Sequence, residues 1–116
     1  SRLNFSNYGS RVDVQGWGYK VASLDYGDLQ DCGAPHTRKY TAEFAGTSSA
    51  SPIVSGAAIL LQGIYKARHG RVMTPKALRR LLRETGSAQT DGPHGSASQT
   101  PVGPRPDLRA AIRELP

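Results

Sequence analysis

One serine in this chain occupies a position suited to nucleophilic chemistry. Ser48 lies in the sequence Gly-Thr-Ser-Ser-Ala-Ser-Pro, residues 46–52, which leads directly into an apolar segment at residues 53–64. Backbone N–H groups in the first turn of a helix lack helical partners and lie at the positive end of the helix dipole, so they stabilise a developing oxyanion. A serine hydroxyl at the start of a buried helix could therefore attack a carbonyl carbon.

The residues around Ser48 predict where this helix begins and ends. Gly46 has no side chain and would let an extended backbone, such as a peptide substrate, approach closely. Thr47 is predicted to be the N-cap, and Pro52 falls in the first turn, where its missing N–H removes little. The helix is expected over residues 48–68, with Gly70 as its C-cap.

The predicted helix is hydrophobic on nearly every face. Its apolar residues are Ile53, Val54, Ala57, Ala58, Ile59, Leu60, Leu61 and Ile64. A helix of this kind is enclosed by several neighbours rather than laid on a surface. The rest of the chain supplies only a few strands and two further helices, so we expect the core to be shared with protein outside this sequence.

A simpler interpretation of residues 46–49 is that they only cap a core helix. Ser and Thr are favoured at helix N-termini for hydrogen-bonding reasons alone, and most such stretches have no other role. Residue types and spacing leave both interpretations open.

The longer segment at residues 44–58, Phe-Ala-Gly-Thr-Ser-Ser-Ala-Ser-Pro-Ile-Val-Ser-Gly-Ala-Ala, closely resembles the nucleophile block of the subtilisin-like serine peptidases. That block reads Gly-Thr-Ser, usually Met, then Ala-x-Pro-x-Val-x-Gly. The one departure is Ser49, which stands where the family usually has Met.

Two further blocks are similar to the same family and occur in the family's order. Residues 3–9 and 12–14 resemble its Phe-Ser-x-x-Gly and hydrophobic-Asp-hydrophobic strand region. Residues 15–18, Gln-Gly-Trp-Gly, stand where many members have Ala-Pro-Gly and keep the turn glycine. Residues 102–111 resemble the closing stretch, in which a hydrophobic-Gly segment leads into the last helix.

The resemblance implies a fold and a domain assignment. It implies an α/β architecture: part of a three-layer α/β/α fold with a mostly parallel sheet, a long central helix starting at the nucleophile and two further helices. Residues 1–116 are expected to be the C-terminal portion of a catalytic domain, in which residues 87–106 form a flexible surface loop. Secretion is what the family usually implies.

The resemblance also assigns roles to residues. Ser48 would be the nucleophile of a serine endopeptidase acting on peptides or proteins, and Gly46, Thr47 and Ser49 would contact the substrate. In this family the triad is met in the order Asp, His, Ser, so both partners of Ser48 lie before it. The chemistry requires no cofactor.

No upstream residue of this chain carries the family's setting for those partners. His36 has no Gly-Thr or Gly-Ser neighbour, and the oxyanion asparagine belongs to an earlier segment. The Asp-Ser/Thr-Gly setting is likewise missing at Asp13, Asp25, Asp28 and Asp31. We therefore expect an N-terminal part of the domain to supply Asp and His, and the isolated chain to be inactive; the alternative is a pseudoenzyme or binding fragment.

A coarse pattern of elements follows from glycines, prolines and periodicity. Two short strands are predicted at residues 12–14 and 21–24, followed by a surface loop at 25–39 and a short extended piece at 40–44. A second helix is predicted from Thr74-Pro75 to a C-cap at Gly86, and a last helix from Asp107 to Leu115.

Other function classes are weaker. The net charge of +6 includes a basic helical face made of Lys76, Arg79, Arg80 and Arg83. A solvated face explains it without nucleic acid, since no recognised module or aromatic platform accompanies it. No segment reaches the roughly 18 apolar residues of a membrane span.

Asp13 alone is too little to predict a metal site, so structural calcium is possible but not predicted. Cys32 is the one cysteine, which excludes an internal disulfide.

Overall fold

A computed structural model of the chain describes residues 1–24, 27–31 and 39–116. These residues contain two strands and three helices, in the order β1 (Val21–Leu24), β2 (Tyr40–Phe44), α1 (Thr47–His69), α2 (Pro75–Thr85) and α3 (Leu108–Arg113). The three predicted helices and the predicted strand at residues 21–24 are confirmed, and the extended piece at residues 40–44 is a strand. The expectations for Asp25, Cys32 and His36 lie outside the described residues.

The long helix α1 begins one residue earlier than predicted. The N-cap is Gly46, not Thr47, and no side chain bonds to this end of the helix as a cap. The prediction that Thr47 is the N-cap was wrong. Gly46, at φ 112° and ψ 180°, is the non-helical residue before the helix, and Thr47 already belongs to α1. At the other end Gly70 is the C-cap as predicted, with φ 66° and its N–H donating to the Lys66 carbonyl.

The two shorter helices are capped by side chains. The Thr74 hydroxyl accepts from the Ala77 N–H at 3.2 Å, and Pro75 opens α2. The Asp107 carboxylate accepts from the Ala110 N–H at 3.0 Å, which starts α3. Helix α3 ends at Arg113, two residues before the predicted end.

The sheet differs from the expectation of a mostly parallel one. Strands β1 and β2 form an antiparallel pair, with Ser23 opposite Thr41 and a bulge between Val21 and Ser23. Gln30 also forms an antiparallel bridge to Tyr40, so all the described pairing around β2 is antiparallel. Among the described residues, the sheet consists of these two strands, and residues 12–14 form no strand. The prediction of a parallel sheet in this chain was wrong.

The three helices enclose a core along one side of α1. Leu61 is fully buried against Leu82 of α2 and Ala111 of α3. Towards the end of α1, Tyr65 packs with Met73 and Leu115. These two clusters bury apolar groups from all three helices and hold them together.

The rest of α1 is not enclosed. Ile59 is 71% exposed, and Leu60 and Ile53 are 57% and 44% exposed. The chain measures 48 × 40 × 19 Å and has a radius of gyration of 16.6 Å, against about 13 Å for a compact domain of this length. The described structure is a flat body that leaves one apolar face of its longest helix uncovered.

The segment at residues 87–106 has no helix or strand, as predicted, but hydrogen bonds link residues within it. Ser87 and Arg105 exchange backbone bonds at 2.8 Å, and the Gln89 side chain bonds both Thr100 and Val102. Val102 is buried. The predicted mobility of this segment stays a prediction.

Asp28 connects the loop between the strands to β2. Its carboxylate accepts a side-chain hydrogen bond from Thr41 and the Ala42 N–H at 2.9 Å, and these bonds hold the pKa of Asp28 below its usual value. Both bonds favour the charged carboxylate in the folded state.

The lowered pKa of Asp28 predicts an acid-dependent contribution to stability. The contribution is fully present above the unfolded-state pKa of about 3.9, and it is lost as the pH falls through the lower folded-state value. We expect Asp28→Asn to lower the melting temperature most above about pH 5. The difference between the two proteins should shrink below about pH 4. A difference that stays constant from pH 7 to pH 3 would contradict this role of the carboxylate.

Candidate active site

Ser48 is the second residue of α1, and its side chain is exposed. The N–H groups of Thr47 and Ser48, the first two residues of α1, have no carbonyl four residues earlier in the helix to bond, and they lie at the positive end of its dipole. The structure thus places an accessible hydroxyl beside donors able to stabilise an oxyanion, at the position predicted from the sequence.

Gly46 fixes the turn that presents Ser48. Its φ of 112° and ψ of 180° belong to a region of backbone conformation that is essentially restricted to glycine. The Gly46 N–H donates to the Gly18 carbonyl at 2.8 Å. The Gly46 carbonyl accepts from the N–H groups of Ser49 at 3.1 Å and Ala50 at 3.3 Å. Both polar groups of this glycine are therefore occupied.

The segment at residues 16–18 supports the same turn from outside the helix. A Cβ atom on Gly16 would overlap the Ala50 carbonyl oxygen, and one on Gly18 would lie 3.2 Å from the Gly46 carbonyl oxygen. The two glycines flanking Trp17 thus allow backbone to lie directly against the first turn of α1. The sequence indicated a turn glycine within residues 15–18, but the contact at Gly16 was not predicted.

The three residues predicted to contact substrate occupy different environments. Thr47 is exposed and Gly46 is half-buried, whereas Ser49 is only 3% exposed. The Ser49 hydroxyl donates to the Gly46 carbonyl at 2.8 Å. Substrate contact by these residues stays a prediction, and Ser49 has in addition a contact inside the turn.

A groove of about 760 Å³ adjoins the nucleophile turn. Gly46 and Thr47 form part of its wall, and three aromatic residues, Phe5, Trp17 and Tyr19, form another part. All three aromatic side chains are more than half exposed. The groove has room for an extended apolar segment beside Ser48.

Within the described residues, neither histidine is bonded to Ser48. His69 is the last residue of α1, about 30 Å from Ser48 at 1.5 Å per residue, and its ring bonds the Pro116 carbonyl. His94 lies in the segment at residues 87–106, where its carbonyl accepts from Arg2. The described residues therefore contain no histidine that is hydrogen-bonded to Ser48.

Asp13 is paired with arginines of α2. Its carboxylate accepts from Arg79 at 2.6 and 3.0 Å, and Arg83 lies 3.5 Å away. These contacts occupy the carboxylate that the sequence offered as a possible metal ligand. In the described part of the chain, no group of three or more His, Cys, Asp or Glu side chains could hold a metal ion.

The same contacts account for part of the basic face of α2. Arg79 and Arg83 bond Asp13, and Arg80 bonds Glu84 at 2.8 Å. Three of its four cations thus have acidic partners within the chain. None of the described helices is long and apolar enough to cross a membrane.

Comparison with known proteins identifies the family. Residues 1–103 match the sequence model of the Subtilase family, Peptidase S8. The chain belongs to the subtilase family. The solved structure of the patellamide maturation protease PatA is similar, with a TM-score of 0.68 and 28% sequence identity. The similarity covers 97% of this chain and 38% of that chain. No curated protein matches the sequence.

Membership of the subtilases confirms the resemblance drawn from the nucleophile block. Because this subtilase chain spans 38% of the length of PatA, the similarity applies to part of that enzyme's chain. The two proteins share a fold over the matched region.

The backbone geometry of the turn predicts a cost for any side chain at Gly46. We expect Gly46→Ala to destabilise the intact protein by about 1–3 kcal/mol in chemical denaturation, because alanine is strained at this φ and ψ. The substitution should also lower activity, since the turn carries Ser48.

Thr47→Ala is the control in the same turn. Thr47 is exposed and lies inside α1, where alanine keeps the helical backbone without strain. This change should alter the free energy of unfolding by less than about 0.5 kcal/mol, as is usual at surface sites. Equal effects at the two positions would show that the conformation of Gly46 is not the cause.

Proposed function

We propose that this subtilase is a serine endopeptidase and that Ser48 is its nucleophile. The observation that carries the proposal is the exposed Ser48 hydroxyl in the first turn of α1, within the segment that resembles the family's nucleophile block. Family membership supports peptide-bond hydrolysis as the reaction class. The substrate would be a peptide or protein.

In the proposed mechanism, the Ser48 Oγ attacks the carbonyl carbon of the scissile bond. A histidine from the upstream part of the domain takes the hydroxyl proton, and an upstream aspartate holds that histidine in the required tautomer. The Ser48 N–H donates to the oxyanion of the tetrahedral intermediate. The same histidine protonates the leaving amine, and water then hydrolyses the acyl-enzyme. No metal or cofactor takes part, and structural calcium elsewhere in the domain stays a possibility.

The substrate would reach Ser48 along the side of the turn where Gly46 and Thr47 are accessible. Gly46 presents no side chain to an approaching backbone, and Thr47 is exposed beside the nucleophile. Ser49 is adjacent to both but buried, so its contribution to substrate contact would come through the backbone.

We further propose that residues 1–116 are the C-terminal portion of a larger catalytic domain. The uncovered face of α1 at Ile53, Ile59 and Leu60 supports a shared core, because contiguous apolar surface of this kind is normally covered. The missing histidine and aspartate would come from the same upstream part. Without them the isolated chain should be inactive, since a serine without its base is a weak nucleophile. Secretion of the whole enzyme is part of the proposal and rests on the family.

The role of Ser48 can be tested in the intact protein. Ser48→Ala should lower kcat for hydrolysis of an unfolded protein substrate by about 10⁴-fold or more, because the triad acts as a unit. Ser10→Ala, a change of the same kind at an exposed site outside α1 and outside the groove, should leave kcat unchanged. Activity that survives Ser48→Ala would refute the nucleophile assignment. An intact wild type without any activity would favour the alternative, a pseudoenzyme or binding fragment.

The shared core makes a second prediction. If the upstream part covers α1, Ile59→Ala should destabilise the intact protein by about 2–5 kcal/mol, as expected for a buried aliphatic residue. Leu61→Ala is the reference, because Leu61 is already fully buried within this chain. A loss below about 0.5 kcal/mol at Ile59, typical of surface sites, would show that this face is exposed in the whole protein.

A further inference from the structure

The residue after the nucleophile has a contact that the family's usual methionine could not make. Ser49 is 3% exposed, and its hydroxyl donates to the Gly46 carbonyl at 2.8 Å. A buried hydroxyl loses its bonds to water, so this partner is needed to satisfy it. A thioether has no proton to donate.

This hydrogen bond closes a small ring around the nucleophile. It joins Gly46, before the helix, to Ser49, inside the first turn, and the two residues between them are Thr47 and Ser48. Peptide groups are planar, so fixing the Gly46 carbonyl also fixes the plane that continues into Thr47. The ring limits the backbone rotations that would move the Ser48 Cα and N–H.

The Ser49 hydroxyl shares the Gly46 carbonyl with two backbone donors. The N–H groups of Ser49 and Ala50 lie at 3.1 and 3.3 Å, beyond the usual N–H···O distance of about 2.9–3.0 Å, whereas the hydroxyl at 2.8 Å has the usual O–H···O distance. The Gly46 N–H is held separately by Gly18. The hydroxyl is the closest donor to this carbonyl and the one supplied by a side chain.

We propose that the Ser49 hydroxyl is a positioning group for Ser48, which holds the Gly46 carbonyl and thereby the geometry of the nucleophile turn. The inference rests on the proposed peptidase function and adds to it a residue that touches neither substrate nor reacting atoms through its hydroxyl. It assigns to this enzyme a side-chain hydrogen-bond donor at a position where the family usually has an apolar side chain.

The test measures kcat, KM and the rate of fluorophosphonate inactivation for the intact enzyme and three variants. Ser49→Ala removes the donor and should lower kcat and the inactivation rate by about three- to thirtyfold with KM within about twofold, because a misplaced nucleophile affects the reaction more than binding. Ser49→Thr keeps the hydroxyl and should restore both rates to within about threefold of wild type. Ser10→Ala, at an exposed site outside α1 and outside the groove, should match wild type.

If the extra methyl group of threonine lowers the melting temperature, Ser49→Cys replaces it as the conservative variant. The thiol is close to isosteric and donates weakly, so its rates should lie between those of Ser49→Ala and wild type. A purely structural role of Ser49 would lower the melting temperature in Ser49→Ala while leaving kcat unchanged.

The outcomes separate the two proposals. A wild type that fluorophosphonate does not modify at Ser48 removes the peptidase function and the positioning role together. A wild type that is modified, with Ser49→Ala reacting at the same rate, overturns the positioning role alone. A rise in KM at constant kcat also overturns it, because that result assigns Ser49 to substrate binding.

Discussion

The geometry of the candidate site depends on how Gly46 is held between two segments of backbone. Its N–H donates to Gly18, and its carbonyl accepts bonds from the first turn of α1. The φ and ψ angles that make both sets of bonds possible are available only to glycine. Because α1 begins at the next residue, the position of Gly46 determines where the helix starts and where Ser48 lies. The conformation of one glycine thus connects local backbone chemistry to the placement of the nucleophile.

Residues 13–18, which lie against the nucleophile turn, are themselves bonded to the rest of the chain. Asp13 is bonded to Arg79 of α2, and the Gln15 N–H donates to the Pro104 carbonyl at 3.0 Å. A Cβ atom on Gly103 would lie 2.5 Å from the Asp13 carbonyl oxygen, so these backbones are in direct contact. Helix α2 and the segment before α3 therefore reach the nucleophile turn through residues 13–18. The helical core on one side of α1 and the site at its N-terminus belong to one connected structure, while the opposite face of α1 stays open for the proposed upstream part.

Sequence alone predicted those features that depend on local patterns. The apolar run of α1, Gly70 as its C-cap and Thr74-Pro75 at the start of α2 are local signals, and all three are confirmed. The parallel sheet could not be predicted correctly, because strand pairing depends on which segments are neighbours in space. Ser49 was compared with methionine and considered for substrate contact. Its hydrogen bond to Gly46 requires the turn geometry, which residue types do not reveal.

The central claim is that the Ser48 hydroxyl is the activated nucleophile of a peptidase. The most direct measurement treats the intact protein with a fluorophosphonate and locates the adduct by peptide mass spectrometry. The account predicts one adduct per molecule, on the peptide that contains Ser48 and at that residue, with none in protein that has been unfolded first. An adduct on another serine, or a folded protein that stays unmodified, would contradict it.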